Sequence, residues 1–432
     1  MKRNSKMLLD VNDKPPVLKW ILLSLQHVFA MFGATILVPI LVNSSAGSNV
    51  LSIPVALVSS GIGTLIYIVC TRGKSPVYLG SSFAFITPMI VGFALAGKNG
   101  VFCGIMAVGL VYVLVALIIK FVGKKWINKL LPPIIVGPMI MIIGLSLAPT
   151  AVSEIGLNET VVPWKSVVVA VVAFLTTAVV AIRGKGFLKV IPFLIGMVVG
   201  YIVSMILGIV DYSAIETAKF VSVPEFYIPF VHYKLSAGAL LTIVPIALVT
   251  LAEHIGDHKV LSSIIDKDLI EDPGLDKTLM GDGLATFAAG LIGGPANTTY
   301  GENTSVVGMT KVASVWVTGL AAVIAIIFGF LGKLTGVISS IPTPVLGGVA
   351  ILLYGFISVN GLKILIQNQV DFSNTKNVVV ASTMLVLGLG GAAISIATKN
   401  VAVSVSGMSL AAIIGILLNL IIPEEKKWKK LY

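Results

Sequence analysis

Acidic side chains inside apolar stretches are the residues of this sequence best placed to do chemistry. Glu302 follows Gly294–Gly301, in which proline and glycine interrupt a helix while Asn, Thr and Tyr favour extended backbone. Glu253 ends another apolar run, and Asp257 lies one turn later on the same helical face. At membrane depth, broken backbone and buried acids are tolerated where they line a cavity. Both stretches therefore indicate a binding site.

The apolar parts of the chain contain no Lys or Arg that could neutralise Glu253 or Glu302. Without such a partner, desolvation favours the protonated carboxyl group. An acid whose proton affinity depends on its hydration is suited to proton coupling. The alternative, in which each acid finds a basic partner when the helices pack, stays open.

Other catalytic patterns are weak. Cys, His and acidic residues do not show the spacing of a metal site, and the glycines around Glu302 are not followed by the GK[ST] of a phosphate loop. Ser81 and Ser82 lack the His and acid that nucleophilic catalysis requires. His27 and His254 lie within or near apolar runs, where a histidine is more often a satisfied core residue than a proton carrier. We therefore expect no catalytic residue and no metal.

Composition sets the class of protein. The chain has 432 residues, of which 56% are hydrophobic and 11% charged, and its mean hydropathy is +1.02. Soluble domains carry about 25% charged residues, so this is a polytopic membrane protein. The net charge of +11 does not indicate nucleic acid, because the basic residues lie in short loops between apolar runs. Cys70 and Cys103 lie inside apolar runs, so no disulfide framework is expected.

The apolar runs predict fourteen membrane segments, of which those around Thr87, Phe287 and Val306 are short or broken. The first run, 20–42, is too long for a signal peptide and is expected to be a retained span. The fourteen segments are centred on Phe32, Gly61, Thr87, Gly109, Met139, Phe174, Gly200, Pro245, Phe287, Val306, Ala322, Leu352, Leu385 and Ile413.

The charge distribution predicts the orientation. With a cytoplasmic N-terminus, 24 of the 30 basic residues face the cytoplasm and 6 face outward, which fits both termini inside and an even number of spans. The predicted parts are an N-terminal tail (1–19), a first repeat of seven segments (20–211), a second repeat of seven (235–422) and a C-terminal tail (423–432).

Weak internal similarity supports two repeats. Pro133–Gly137 aligns with Pro344–Gly348, and the stretch Lys74–Pro88 matches the character of Gly294–Val306. Because seven segments is an odd number, the second repeat must be inverted. Inverted repeats with paired breaks are typical of transporters, and the breaks mark the site. A channel or a membrane enzyme would not require that symmetry.

Aromatic residues accompany both breaks. Phe83 follows Ser81-Ser82, Tyr300 precedes Gly301, and Tyr354 lies in the second repeat. Each ring alone could be simple packing. Together with acids at paired breaks they favour a planar heterocycle, whose face stacks on aromatic rings and whose N–H groups donate to carboxylates.

Four stretches of the sequence are recognisable: SLQHVFAMFGATILVP (Ser24–Pro39), YLGSSFAFITP (Tyr78–Pro88), AEHIGDH (Ala252–His258) and NTTYGEN (Asn297–Asn303). They closely resemble the nucleobase–ascorbate transporter family of nucleobase:cation symporters, and within it the bacterial uracil permeases. The similarity runs over almost the whole chain. It implies an all-α polytopic protein of fourteen segments in two inverted repeats of seven, with short β-strands in segments three and ten. It also implies a core domain that moves against a gate domain.

The resemblance implies a set of site residues. The positions expected to contact uracil are Phe83, Glu253, Gly301 and Glu302, with Tyr300 and Tyr354 near the pocket. The positions expected to take part in proton coupling are Glu253, Asp257, Glu302 and Asn303.

The chain departs from the family pattern at two of these places. Ser305 stands where the family signature has Gly, which affects packing at the start of the helix after the second break. Asp257 stands where some uracil permeases have a His linked to the proton path. Asp257 is therefore expected to give a different pH response.

The sequence thus predicts a proton-coupled uracil importer in the cytoplasmic membrane. It would act on uracil and protons within the lipid bilayer, with no cofactor and no nucleic acid, and a homodimer is left open. The nearest alternative is a xanthine or purine permease of the same family. Glu302 favours uracil, because the xanthine and purine permeases more often have a Gln at this position. An anion transporter is disfavoured by two buried acids without a basic partner. A membrane enzyme would need a nucleophile, metal or cofactor constellation.

Overall fold

The computed structural model describes residues 7–229, 236–397, 402–405 and 407–423. Residues 1–6 of the predicted N-terminal tail, 424–432 of the C-terminal tail, and 235, 398–401 and 406 of the predicted second repeat lie outside the described residues.

Helices dominate the described residues. Those in the first half of the chain are α1 (Val17–Ala46), α2 (Ile53–Cys70), α3 (Ile86–Val122), α4 (Lys125–Leu130), α5 (Pro133–Ser146), α6 (Ala148–Ile155), α7 (Trp164–Arg183), α8 (Pro192–Ile206) and α9 (Ser213–Thr217). Those in the second half are α10 (Ala237–Ile243), α11 (Ile246–Ile265), α12 (Leu275–Leu291), α13 (Gly301–Thr310), α14 (Val315–Gly329), α15 (Gly332–Ser339), α16 (Thr343–Gln367), α17 (Thr375–Leu389) and α18 (Gly407–Ile421). The strands are β1 (Leu79–Ser81), β2 (Asn297–Thr299), β3 (Ile394–Ala397) and β4 (Ala402–Val405).

In the described part of the chain, seven helical runs are long and apolar enough to cross a membrane. An eighth candidate is the pair α14 and α15, which is bent by 80°, and α8, α17 and α18 are shorter apolar helices. This confirms the prediction of a mostly helical, multi-pass membrane protein. The seven runs are Val17–Ala46, Ile53–Cys70, Phe83–Val122, Pro133–Ile155, Trp164–Arg183, Ala237–Ile265 and Thr343–Gln367.

One of these runs, Phe83–Val122, is far longer than a single crossing requires. Its 40 residues would extend about 60 Å, against a hydrocarbon core of about 30 Å. The helix is broken at Gly97, whose φ of 60° and ψ of −167° are not helical and favour glycine. Gly97 falls between the predicted segments centred on Thr87 and Gly109.

The strands β1 and β2 come from opposite halves of the chain and pair antiparallel. Leu79 lies opposite Thr299, and Ser81 lies opposite Asn297. Each strand is followed within two residues by a helical turn, which begins at Phe83 after β1 and at Gly301 after β2. We call Tyr78–Phe83 the first break and Ala296–Gly301 the second break.

The pair β3 and β4 was not predicted. The two strands run antiparallel, with Ile394 opposite Val405, just before α18. The resemblance to the nucleobase–ascorbate transporter family implied strands only in segments three and ten. The description of the protein as all-α is therefore too simple in this region.

The helices pack in two groups. In the first, α12 packs against α2 and α3, and α14 packs against α1 and α2. In the second, α16 packs against α5, α6, α7 and α8, while α17 packs against α5 and α18. The helix α11 contacts α13 of the first group and α5 and α18 of the second. The two breaks are enclosed by the first group and face α11.

Candidate functional site

Side chains of the surrounding helices fix the second break in place. Asn297 Nδ2 donates to Ser59 O of α2 at 3.2 Å and to Ala285 O of α12 at 3.3 Å. Thr286 Oγ1 donates to Asn297 O at 3.1 Å. A three-residue strand forms few backbone hydrogen bonds with its partner strand. These side-chain hydrogen bonds therefore satisfy backbone groups that would find no partner in the lipid.

Hydroxyl groups of α2 hold the first break in the same way. Ser60 Oγ donates to Leu79 O at 2.7 Å, and Leu79 N donates to Thr64 Oγ1 at 3.0 Å. The two breaks are thus tied to the same helix. Their relative position is further fixed by the ladder between β1 and β2.

Backbone bonds extend the strand pairing to the start of each helical turn. Tyr300 N donates to Tyr78 O at 3.1 Å, and Ser82 N donates to Ala296 O at 2.9 Å. The first turn of α13 and the turn that begins at Phe83 therefore start close together. Helix N-termini carry unpaired N–H groups and a partial positive charge, so both breaks present hydrogen-bond donors to a ligand.

Three of the predicted acids gather beside the second break. Thr298 Oγ1 donates to Glu253 Oε2 at 3.2 Å, and Thr299 Oγ1 donates to Asp257 Oδ2 at 2.5 Å. Glu302 lies in the first turn of α13, which packs against α11. The structure thus brings together the acids that the sequence analysis singled out in separate segments.

Basic partners for these acids are absent from the part of the chain that the structure describes. The Lys residues that form ion pairs there do so at exposed positions away from the breaks, as Lys74–Asp272, Lys124–Glu271 and Lys267–Asp10. The alternative left open above, in which a Lys or Arg neutralises Glu253 or Glu302, is not what the described residues adopt.

An aromatic pair lies on the first break. Phe83 and Tyr354 of α16 meet edge to face, with ring centroids 6.2 Å apart and an interplanar angle of 75°. The Tyr354 hydroxyl is buried and has no hydrogen-bond partner within the described residues, and the same holds for the hydroxyls of Ser81 and Ser82. Buried polar groups normally have partners, so these three are candidates for contact with a ligand.

Tyr300 is placed differently from Phe83 and Tyr354. Its hydroxyl donates to Ser81 O at 3.0 Å and accepts from Thr35 Oγ1 of α1 at 3.1 Å. Its ring lies against Gly80, where any larger side chain would collide with it. Tyr300 therefore bridges the two breaks and α1, and its hydroxyl already has partners within the protein.

Asn303 and Ser305 connect the first turns of α13 to their surroundings. Asn303 Nδ2 lies 3.1 Å from His27 Nδ1 and donates to His27 O at 3.1 Å. Ser305 Oγ donates to Gly301 O at 2.9 Å. Ser305, one of the two departures from the family pattern, thus bonds back to the residue that begins α13. Asn303 joins α13 to α1 through His27, which is 2% exposed.

Sequence reasoning missed a second buried network of hydrogen bonds, which starts at His254 of α11, the residue after Glu253. His254 Nδ1 lies 2.7 Å from Asp282 Oδ2 of α12, and His254 Nε2 lies 3.1 Å from Thr278 Oγ1. Both rings of the i, i+4 pair His254 and His258 are stacked, with centroids 4.0 Å apart. His254 is therefore a satisfied core residue, as the sequence favoured. Its partner Asp282 is fully buried.

The network continues toward the end of α2. His258 Nδ1 donates to His254 O at 2.7 Å, and His258 Nε2 lies 2.5 Å from the Tyr67 hydroxyl. That hydroxyl lies 2.9 Å from Ser75 Oγ. The spacing of the two histidines was the available signal, because it places both on one side of a helix.

One buried acid was not singled out from the sequence. Glu154 lies in α6 and is only 8% exposed. Its Cβ packs close to Gly347 of α16. Its apolar surroundings come from α16, which the local sequence around Glu154 does not reveal.

Comparison with known proteins agrees with this picture. The model of a permease family matches residues 18–396. The chain is 48% identical to the uracil permease of Bacillus caldolyticus over 97% of this chain and 95% of the relative. It is 48% identical to the uracil permease of Bacillus subtilis, with 98% and 97% covered, and 41% identical to that of Escherichia coli K12, with 96% and 93% covered. These relatives are named as transporters and not as enzymes.

Solved structures share the fold at low sequence identity. The transmembrane domain of the cyanobacterial bicarbonate transporter BicA superposes with a TM-score of 0.61 at 14% identity, covering 95% of this chain and 99% of that one. The murine anion transporter Slc26a9 in its inward-facing state gives 0.69 at 11% identity, covering 95% and 69%. The chain therefore shares the fold of these two proteins. The family match over residues 18–396 and the sequence relatives show that the chain belongs to the permease family and confirm its resemblance to the bacterial uracil permeases of the nucleobase–ascorbate transporter family.

Proposed function

We propose that the protein imports uracil by proton symport across the cytoplasmic membrane, by alternating access. The observation that carries the proposal is the convergence of Phe83, the start of α13 and the acids of α11 at the paired breaks. The names of the relatives, which are uracil permeases at 41–48% identity, supply the substrate.

Uracil has ring N–H donors, carbonyl acceptors and a flat face, and the site offers a complement to each. In the proposed pose the ring lies against Phe83, and ring N–H groups donate to the carboxyl groups of Glu302 and Glu253. A uracil carbonyl accepts from the backbone N–H of Gly301 at the start of α13. Tyr354, whose hydroxyl has no protein partner among the described residues, completes the aromatic side.

Two other predicted residues, Tyr300 and Asn303, act on uracil indirectly. Tyr300 bridges the first break, the second break and α1, so its effect on uracil is through the shape of the site. Asn303 connects the start of α13 to His27, and we assign its part in coupling to that connection.

Coupling follows from the grouping of carboxyl groups without a cation. Glu253 and Asp257 lie on α11, and Glu302 lies at the start of α13, which packs against α11. Holding charge on several of these carboxyl groups at once in a site of low polarity is costly. A proton on the group relieves that cost. In this proposal Glu253 holds the proton when its surroundings are dry and releases it when the site opens to one side. Asp257, bonded to Thr299, sets the pH range.

The same proposal includes the architecture. Fourteen segments in two inverted repeats of seven would place the two breaks at corresponding positions, and the antiparallel pairing of β1 with β2 supports this. The two packed groups of helices correspond to a core domain that carries the breaks and a gate domain that includes α5–α8 and α16–α18. Both termini are cytoplasmic.

Reconstituted protein tests the proposal. Proteoliposomes are given an inward proton gradient, and accumulation of labelled uracil is measured without sodium and in competition with unlabelled uracil, thymine, xanthine and hypoxanthine. Uptake is expected to rise as the outside pH falls, to collapse with a protonophore and to be displaced best by uracil. Equal accumulation without a proton gradient would contradict the coupling. Stronger competition by xanthine would instead favour the purine permease alternative.

A further inference from the structure

The segment Met7–Asp13, which we call the N-terminal strap, runs beside the residues that follow α13. Leu8 N donates to Lys311 O at 2.7 Å, and Ala313 N donates to Leu9 O at 2.9 Å. Leu9 and Val312 form a parallel β-bridge. The strap therefore adds an extended segment to the backbone that leaves α13.

The strap is also anchored by its side chains. Val11 is 3% exposed and packs in one apolar cluster with Leu261 of α11 and Val307 of α13. Val315 N donates to Val11 O at 2.9 Å. Val11 is the one fully buried side chain of the strap, so it is the principal side-chain anchor.

An ion pair connects the strap to the end of α11. Lys267 Nζ lies 2.7 Å from Asp10 Oδ1 and 2.8 Å from Asp10 Oδ2, and Lys267 comes two residues after α11 ends. This hydrogen bond and that from Val11 N hold the pKa of Asp10 below its usual value. Both side chains are about half exposed, so the pair itself contributes little. The ion pair matters for the position of the strap, because it joins the strap to the end of α11 as well as to α13.

The strap thus touches the far ends of the two helices that carry the acids. The helix α13 has ten residues and spans about 15 Å. The second break fixes its start, where Glu302 lies, and the strap fixes its end. The helix α11 carries Glu253 and Asp257 and is joined to the strap by Leu261 and Lys267. The spacing between Glu302 and Glu253 therefore depends on contacts at both ends of α13.

We propose that the N-terminal strap is a positioning element of the uracil site, which holds α13 at the angle to α11 that lets Glu302 and Glu253 bind the same ring. This rests on the proposed function, in which both acids bind uracil. The strap contacts residues of the group that carries the breaks, so it moves with the site and stays in place through the transport cycle.

Val11→Asp tests the proposal, with Asn12→Asp as its matched control. Both variants add the same charge, but Val11 is buried and the neighbouring Asn12 is exposed. Uracil Kd is measured by calorimetry on purified protein, alongside the thermal unfolding temperature. We expect Val11→Asp to raise the Kd about tenfold, equivalent to about 1.4 kcal/mol. Asn12→Asp should bind as the parent protein does.

A covalent rescue separates positioning from general damage. Leu9→Cys and Val312→Cys are combined with Val11→Asp in a protein in which Cys70 and Cys103 are replaced by Ser. Bridge partners lie close enough for a disulfide. Oxidation should therefore hold the strap against the residues after α13 and restore the parent Kd. Reduction of the same sample should raise the Kd again.

Four outcomes are decisive. Parent-like affinity of Val11→Asp overturns the proposal, as does weak binding in the oxidised rescue variant once its disulfide is verified by mass spectrometry. Recovery on oxidation supports it, even where Val11→Asp alone is less stable. Failure of the parent protein to bind uracil would instead overturn the proposed function, which keeps the two apart.

Discussion

The first and second breaks share a backbone plan but carry different chemistry. Each is a short strand followed by the start of a helical turn, and the two strands pair antiparallel. The first break presents Phe83 and the hydroxyls of Ser81 and Ser82. The second presents Glu302, and its threonines bond to the acids of α11. One break is therefore aromatic and uncharged, and the other is surrounded by carboxyl groups.

This difference teaches how a repeated scaffold makes a site for an asymmetric ligand. Paired helix N-termini arise from the backbone alone, so both breaks supply N–H donors. The side chains then divide recognition, with the ring face at the first break and hydrogen-bond acceptors at the second. If that division is right, variants at the two breaks should fail in different ways.

The largest effect is expected at the second break. Glu302→Ala removes an acceptor at the start of α13 and leaves uracil N–H groups unpaired, at about 1–3 kcal/mol for each group. We expect uracil binding to fall below detection by calorimetry, whereas Glu159→Ala, at an exposed acid, should bind normally. Near-parent affinity of Glu302→Ala would remove the carboxyl group from the proposed pose.

The next effect separates binding from coupling within the acidic group. Glu253→Gln keeps a similar shape and mimics the protonated side chain, so uracil binding should persist while accumulation against a gradient is lost. Binding is measured by calorimetry and accumulation in proteoliposomes with an imposed pH gradient. Glu225→Gln, at an exposed site, serves as the control. Gradient-driven accumulation by Glu253→Gln at the parent level would show that the coupled proton binds elsewhere.

A smaller effect is expected at the first break. Phe83→Ala removes the ring face and its edge-to-face contact with Tyr354, and such aromatic contacts contribute about 0.5–1.5 kcal/mol beyond area burial. We expect Kd to rise about tenfold, with much less change in Phe83→Tyr. Phe220→Ala, at a largely exposed ring, is the control. Unchanged affinity in Phe83→Ala would reduce the first break to ordinary packing.

The sequence predicted the second break well because its signals are local. Pro295 and the glycines interrupt a helix whatever surrounds them, and Glu302 is unusual in an apolar stretch. The sequence also contains no Lys or Arg in its apolar parts, and in the described residues no Lys or Arg pairs with Glu253 or Glu302. Apolar length alone predicted multi-pass character.

The features that sequence missed depend on contacts between distant segments. Burial of Glu154 comes from α16, and the bond between His254 and Asp282 joins α11 to α12. The strands β3 and β4 are the one local miss: their Ile and Val residues alternate with Ser or Ala, a period-two pattern that favours strands. The role of Tyr300 could not be predicted from the sequence either. An aromatic ring beside a break can stack on a ligand or support the backbone, and the local sequence does not distinguish the two.

Tyr300 and Tyr354 offer the finest test of how the two breaks are joined. Tyr300→Phe leaves Ser81 O and the Thr35 hydroxyl without the bridging group, at about 0.5–1.5 kcal/mol for each hydrogen bond. Its unfolding temperature should fall while uracil Kd changes about twofold or less. Tyr354→Phe removes a hydroxyl that has no partner among the described residues, so stability should hold and any change should appear in Kd. Measuring both quantities for both variants separates a brace from a ligand contact. A loss of affinity in Tyr300→Phe at unchanged stability would mean that this hydroxyl reaches uracil directly, and the second break would then supply an aromatic contact as well as its acids.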